Sequence, residues 1–244
     1  MPYRRLPTTD KARTRALEAA LERVAFKNGK VAISAGTIEE LQIVKSKFEN
    51  TLKHYEMNIQ IQNEKYQEFK TAMDAARMYV SHFIQVLYLT SERGEINGGI
   101  KYYNLGEFEG KVPPLNNEEE ILKWGETVIQ GEQKRIQNGG SAIYNPSIAM
   151  VKIKIEDFKD AAIFQQNLKR NTTRTYNLMQ ELRKSTNEFI SKLWNEIEET
   201  LESESPKHKR QIAQEYGIVY VFRRNEKKKL TDKELQRDLL FDFA

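Results

Sequence analysis

Residues 37–93 read TIEELQIVKSKFENTLKHYEMNIQIQNEKYQEFKTAMDAARMYVSHFIQVLYLTSER, 57 residues between Gly36 and Gly94 with neither glycine nor proline. A heptad runs through them unbroken. One seam is Ile38, Lys45, Leu52, Ile59, Tyr66, Met73, Val80 and Leu87; the other is Leu41, Phe48, Tyr55, Gln62, Phe69, Ala76 and Phe83. Of these fifteen positions only Lys45 and Gln62 are strongly polar. A 3.5-residue period held this long predicts a long helix pressed along a seam against another helix. At the rise of an α-helix it would be a rod of roughly 80 Å if unbroken.

A second stretch free of glycine and proline runs from about Ile155 to Leu201. Its stripe is Phe158, Ala161, Leu168, Met179, Leu182, Phe189, Leu193, Ile197 and Leu201. Two long helices of similar length predict an antiparallel hairpin. The expected fold is mainly all-α, a coiled-coil-like bundle with short extra helices and a small β element.

Working outward, Thr9 or Asp10 caps a first helix with the apolar line Ala16, Leu17, Ala20, Leu21, Val24, ended by Asn28-Gly29. Val31-Ala32-Ile33 is a candidate strand. Thr37 and Glu40 have capping-box spacing at the head of the long helix. Residues 94–116 are rich in glycine and proline yet carry Ile100, Tyr102, Tyr103, Leu105 and Phe108, which predicts a packed loop. Asn116 or Asn117 caps a short helix that Asn138-Gly139-Gly140 stops. Ser205-Pro206 opens another, which Gly217 ends. Ile218–Phe222 is the strongest strand signal, with Val31–Ile33, Val151–Ile153 or another subunit as its expected partner. Thr231 and Glu234 open a final helix with Leu235, Leu239 and Leu240. The organisation follows: 1–36, an N-terminal helix and short strand; 37–205, the hairpin with an insertion at 94–150; 206–244, a basic helix–strand–helix segment.

Val80–Leu87 resembles Thr186–Leu193, and Tyr103-Asn104-Leu105-Gly106 loosely echoes Glu215-Tyr216-Gly217. Duplication of a helical unit explains this, and so does convergent patterning of two apolar helices.

The 244 residues contain no cysteine, which removes disulfides, thiolate metal sites and a cysteine nucleophile. Charged residues make up 30%, which suits helices with a narrow apolar stripe and a wide solvated face. No apolar run is long enough for a membrane span. Met1–Pro7 lacks the apolar core of a signal peptide. The expectation is a soluble, cytoplasmic protein.

Residues that carry chemistry are sparse. His54 and His82 are 28 residues apart on one helix and cannot share a metal. There is no Glu-x-x-His pair, phosphate-binding loop, dinucleotide fingerprint or nucleophile elbow. Glu118-Glu119-Glu120 falls in a helix's first turn, where negative charge suits the dipole. Gly125 and Gly131, six apart in one helix, imply close packing against the long helix; the alternative is a small pocket beside Trp124, Glu132 and Arg135. No catalytic residue, metal ligand or cofactor is assigned.

The net charge of +4 is uneven. From Pro206 to Lys229 eight basic residues stand against Glu215 and Glu226, a balance of +6. Lys207, Lys209, Arg210, Arg223, Arg224, Lys227, Lys228 and Lys229, with Tyr220 and Phe222 interleaved, have the chemistry of phosphate contact plus base stacking. A solvated strand end kept soluble by charge explains them equally simply. The tail Gln236–Phe241 loosely matches a motif that docks on the bacterial sliding clamp, and an ordinary amphipathic helix accounts for it as well.

Tyr79–Leu87, Ser91–Ile96, Gly139–Pro146 and Tyr216–Tyr220 together make the chain similar to a family of uncharacterised bacterial proteins seen in Bacteroidota. The likeness covers most of the chain, beginning at Tyr3-Arg4-Arg5-Leu6-Pro7. It implies a full-length bacterial, cytoplasmic protein and supplies no site residues. The function expected is that of a non-enzymatic structural or scaffolding subunit, joined to protein partners or to copies of itself. A nucleic-acid- or ribosome-associated binder is the alternative.

Overall fold

A helix needs an uninterrupted run of residues that can all donate and accept along its axis, and the two stretches without glycine or proline supply it. In a computed structural model describing residues 3–26, 31–96 and 99–222, they form α2 (Ala35–Glu92) and α4 (Ile148–Thr200). Around them stand α1 (Asp10–Ala25), α3 (Glu118–Gln137) and α5 (Pro206–Glu215), with 3-10 turns at Gly99–Tyr103 and Gly106–Phe108. The protein is an all-α helical bundle. Among the described residues its only sheet is a two-residue ribbon, β1 (Tyr3–Arg4) antiparallel to β2 (Tyr220–Val221), with Tyr3 opposite Val221.

The short helices start where a side chain satisfies a free amide. Thr9 accepts from Ala12 N, Asn117 from Glu120 N, and Ser205 from His208 N with Pro206 in the first turn. At α2 the expected capping box is replaced. Ser34 Oγ accepts from Thr37 N at 3.3 Å, and Glu40 is drawn instead to Lys192, 2.8 Å away. Val31-Ala32-Ile33 is not a strand: Ala32 and Ile33 are buried as a loop leading into α2. Val151–Ile153 belongs to α4, which begins seven residues earlier than expected, so β2 finds its partner in β1.

The chain divides into two compact units, the first from the described parts of Met1–Glu56 and Arg174–Ala244, the second from Met57–Thr173. In unit 1, α1, the head of α2 and the end of α4 enclose Leu17, Leu41, Ile190, Leu193 and Trp194, with Tyr216 and Ile218 beyond α5. Phe48 meets Met179 and Leu182, so the long helices run antiparallel there. In unit 2, α3, the end of α2 and the head of α4 enclose Val80, Phe83, Val128 and Ile155, with Tyr103 and Leu105 in the 3-10 region. Phe69 and Phe158 lie 6.0 Å apart, centroid to centroid, again an antiparallel match.

Each unit is built on the same pattern. Counted from the caps Thr9 and Asn117, α1 buries its fourth, seventh, eighth and eleventh residues (Arg13, Ala16, Leu17, Ala20), and α3 buries the same positions (Ile121, Trp124, Gly125, Val128). Ile33, Leu41 and Phe48 are buried in one unit; Ile143, Val151 and Phe158 are buried in the other, each 110 positions on. Phe83, Ile84, Leu87 and Tyr88 correspond likewise to Phe189, Ile190, Leu193 and Trp194, and Tyr103 and Leu105 to Tyr216 and Ile218. The matched burial extends the repeat well beyond the two segments of similar sequence.

Candidate functional site

Glu132 and Arg135 are one helical turn apart on α3, on the face turned to the core. They are 0% and 1% exposed. Arg135 Nε and Nη2 donate to the two oxygens of Glu132, each at 2.9 Å, and Nη2 also donates to Ser141 O at 2.7 Å. The amide of Ile143 and the hydroxyl of Tyr103 donate to the same carboxylate. Burial first, then the neighbouring carboxylate, pushes the Tyr103 phenol well above its ordinary range. On Arg135, burial alone would favour loss of the proton, but the bonds to Tyr103 and Glu132 outweigh it. This cluster ties the turn at Tyr103 and the loop at Ile143 to α3.

The two glycines of α3 are explained by contact. A Cβ on Gly125 would overlap the side chain of Ile155, and one on Gly131 would sit 2.5 Å from the Tyr103 ring and 2.8 Å from Tyr102 O. Trp124 is packed edge-on against Phe108, with ring centroids 5.2 Å apart. The place where sequence left a choice between packing and a pocket is packed.

The basic segment is resolved in part. Lys207 is exposed on α5, and Lys209 and Arg210 are half-buried there. Tyr220 is half-buried, and its hydroxyl donates to Glu198 Oε1 at 2.6 Å. Burial and then that carboxylate hold the phenol proton on more tightly than usual. Tyr220 is therefore anchored inward. Phe222 closes the described region, half-buried. Arg223, Arg224, Lys227, Lys228, Lys229 and the tail from Thr231 onward lie outside the described residues.

Two features of unit 1 were not legible beforehand. Asp10 bridges α1 to α4: Arg183 donates to its two oxygens at 2.9 and 2.6 Å, and Arg13 donates at 3.0 Å. The hydrogen bond from Arg183, opposed by burial, holds the Asp10 carboxyl below its ordinary range. The second feature is a half-open cavity of about 470 Å³ between the β1 end of the chain and α1. Its walls are Leu6, Pro7, Ala12, Ala16, Ala19 and Val219, with Trp194 and Gly217 beneath and Arg5, Thr8 and Arg15 at the edge. Gly217, at φ 84°, brings its backbone so close to α1 that a Cβ would stand 3.1 Å from Ala16 O. That approach, invisible in sequence, brings the segment before β2 against α1.

In unit 2 a groove of about 510 Å³ runs between the long helices, lined by Tyr66, Phe69, Ala162 and Ile163 with Gln62, Gln165 and Gln166. Between residues 57 and 68 of α2, and between 159 and 173 of α4, no side chain is buried. Gln165 Oε1 is the exception at atom level: it is shut from solvent with no hydrogen-bond partner. Among the described residues no helix is long and apolar enough to cross a membrane.

No protein-family model, curated protein or solved structure matches the chain.

Proposed function

We propose that the protein is a non-catalytic scaffolding subunit of the bacterial cytoplasm that assembles with protein partners, a second copy of itself first among them. The observation that carries this is the unfinished helical seam of unit 2. Ile163 and Tyr66, which line the groove, are 59% and 48% exposed, and Phe164, next to Ile163 in sequence, is 49% exposed. Apolar side chains that two helices leave outside their shared seam are buried only when another helix or a second copy covers them. Apolar side chains grouped this way along a groove mark an interaction surface rather than scattered surface residues. The most buried charged groups, by contrast, are spent on structural pairs: Asp10 with Arg13 and Arg183, and Glu132 with Arg135.

Affinity capture of the full chain from native lysate tests this. Recovery of protein partners or of untagged copies, unchanged by nuclease, is expected. Recovery of RNA or ribosomal proteins that nuclease abolishes would instead favour the basic segment as the working surface.

A further inference from the structure

We propose that the half-open cavity of unit 1 is a binding site for a small aromatic carboxylate. Three observations converge on it.

The first is the comparison of the two units. Seven residues beyond its cap, α3 carries Trp124, whose indole fills its surroundings and meets Phe108. At the corresponding position α1 carries Ala16, with Ala12 and Ala19 one turn to either side, and the space beside them is open. Unit 1 thus keeps the frame of unit 2 but has alanine where α3 carries its indole, its own tryptophan, Trp194, standing at the Tyr88 position instead. The missing volume sets the size of the ligand: one fused or substituted ring.

The second is charge. Arg5 and Arg15 border the cavity and no acidic residue does. Both are exposed at their positions, and neither is in an ion pair among the described residues. Arg15 Nε spends one donor on Lys11 O at 3.3 Å, which leaves the rest of its guanidinium fork for an anion. A carboxylate has the planar geometry that such a fork prefers.

The third is the floor. Trp194 is 1% exposed, and its indole Nε1 is buried without a hydrogen-bond partner. Its counterpart in unit 2, Tyr88, donates to Leu105 O at 3.2 Å. That nitrogen is closed to solvent and so is not reached from the open cavity; what Trp194 gives the site is the ring that lines it. An apolar wall with a few convergent polar groups is the usual make-up of a small-molecule site.

The test uses the full chain with 1-naphthoate as the probe and 1-naphthamide as its uncharged twin. The protein has two tryptophans, one in each unit, so their indole N–H resonances separate the sites. Naphthoate should shift the Trp194 resonance with 1:1 saturation and leave that of Trp124 in place. Affinity should fall about tenfold for the amide, and similarly for naphthoate with the Arg5→Gln/Arg15→Gln variant. Ala16→Trp, which writes the unit 2 residue into unit 1, should abolish binding. If Ala16→Trp does not fold, the arginine variant decides, because both side chains are on the surface. No shift up to millimolar naphthoate, equal affinity for the amide, or binding unchanged by the arginine substitutions would overturn the proposal.

Discussion

Replacing Glu132 by leucine would leave the Arg135 guanidinium buried without a counter-charge. Breaking a buried pair by removing one partner costs about 3–5 kcal/mol. The amide of Ile143, 3.1 Å away, and the Tyr103 hydroxyl also lose their acceptor, which adds about 1–3 kcal/mol each. Arg135→Met leaves Glu132 still receiving Ile143 N and the Tyr103 hydroxyl, so its cost stays near 3–5 kcal/mol. In the double variant no charge remains. The carbonyl of Ser141 lies at an exposed residue and turns to water, so the main losses are the bonds of the Ile143 amide and the buried Tyr103 hydroxyl, about 1–3 kcal/mol each. The two single changes should therefore sum to far more than the double, with a coupling above about 3 kcal/mol. Urea unfolding followed by fluorescence measures this in a Trp194→Phe background, where Trp124 alone reports on unit 2. A double variant as unstable as the sum of the singles would refute the assignment of the pair as a mutually neutralising buried cluster.

Gly131→Ala gains helix propensity of about 1 kcal/mol yet should be destabilising on balance, because its Cβ meets the Tyr103 ring and Tyr102 O; thermal melting gives the sign. The Asp10 carboxyl is held below its unfolded value by Arg183, so the stability it lends is present above the unfolded carboxylate range, near pH 4. That stability is lost as pH falls through the lower folded value, and Asp10→Asn should remove that part of the acid limb of a stability–pH curve. Val80→Pro, at a buried interior position of α2, should cost about 3 kcal/mol or more and abolish cooperative melting. If the basic segment does bind nucleic acid, glutamines at Lys227, Lys228 and Lys229 should flatten a salt slope of about 0.7–0.9 per phosphate neutralised, as read by titration at several salt concentrations.

Much of the helical architecture was legible because it is written in local chemistry. The heptad of α2 and the uninterrupted apolar stripe of α4 marked the long helices, and the oxygen-bearing side chains at Thr9 or Asp10, Asn116 or Asn117, and Ser205 marked three helix starts, where Thr9, Asn117 and Ser205 are the caps. Gly125 and Gly131 signalled close packing, and Ile155 and Tyr103 supply it. The failures share a cause. The two-residue ribbon of Tyr3–Arg4 with Tyr220–Val221 joins opposite ends of the described chain, and no local pattern encodes such a pairing. Val151 and Ile153 alternate like a strand, but α4 turns Val151 into the core and leaves Ile153 exposed. The capping box at Thr37 lost to a distant group, since Thr37 donates to Glu196 Oε2 at 2.6 Å. The repeat was half hidden because the spacing between equivalent residues varies along the chain, α2 having 58 residues and α4 53. The unit 1 cavity left no mark in sequence except three alanines where its sister unit has larger or charged residues.

Sedimentation velocity of the full chain beside its Ile163→Arg variant, across a wide concentration range, tests the scaffold most directly. Ile163 is too exposed for the charge to disturb folding, so circular dichroism should be unchanged. The account predicts a concentration-dependent oligomer for the native chain and a monomer for the variant. A native chain that stays monomeric throughout, or an oligomer indifferent to arginine at 163, would contradict it.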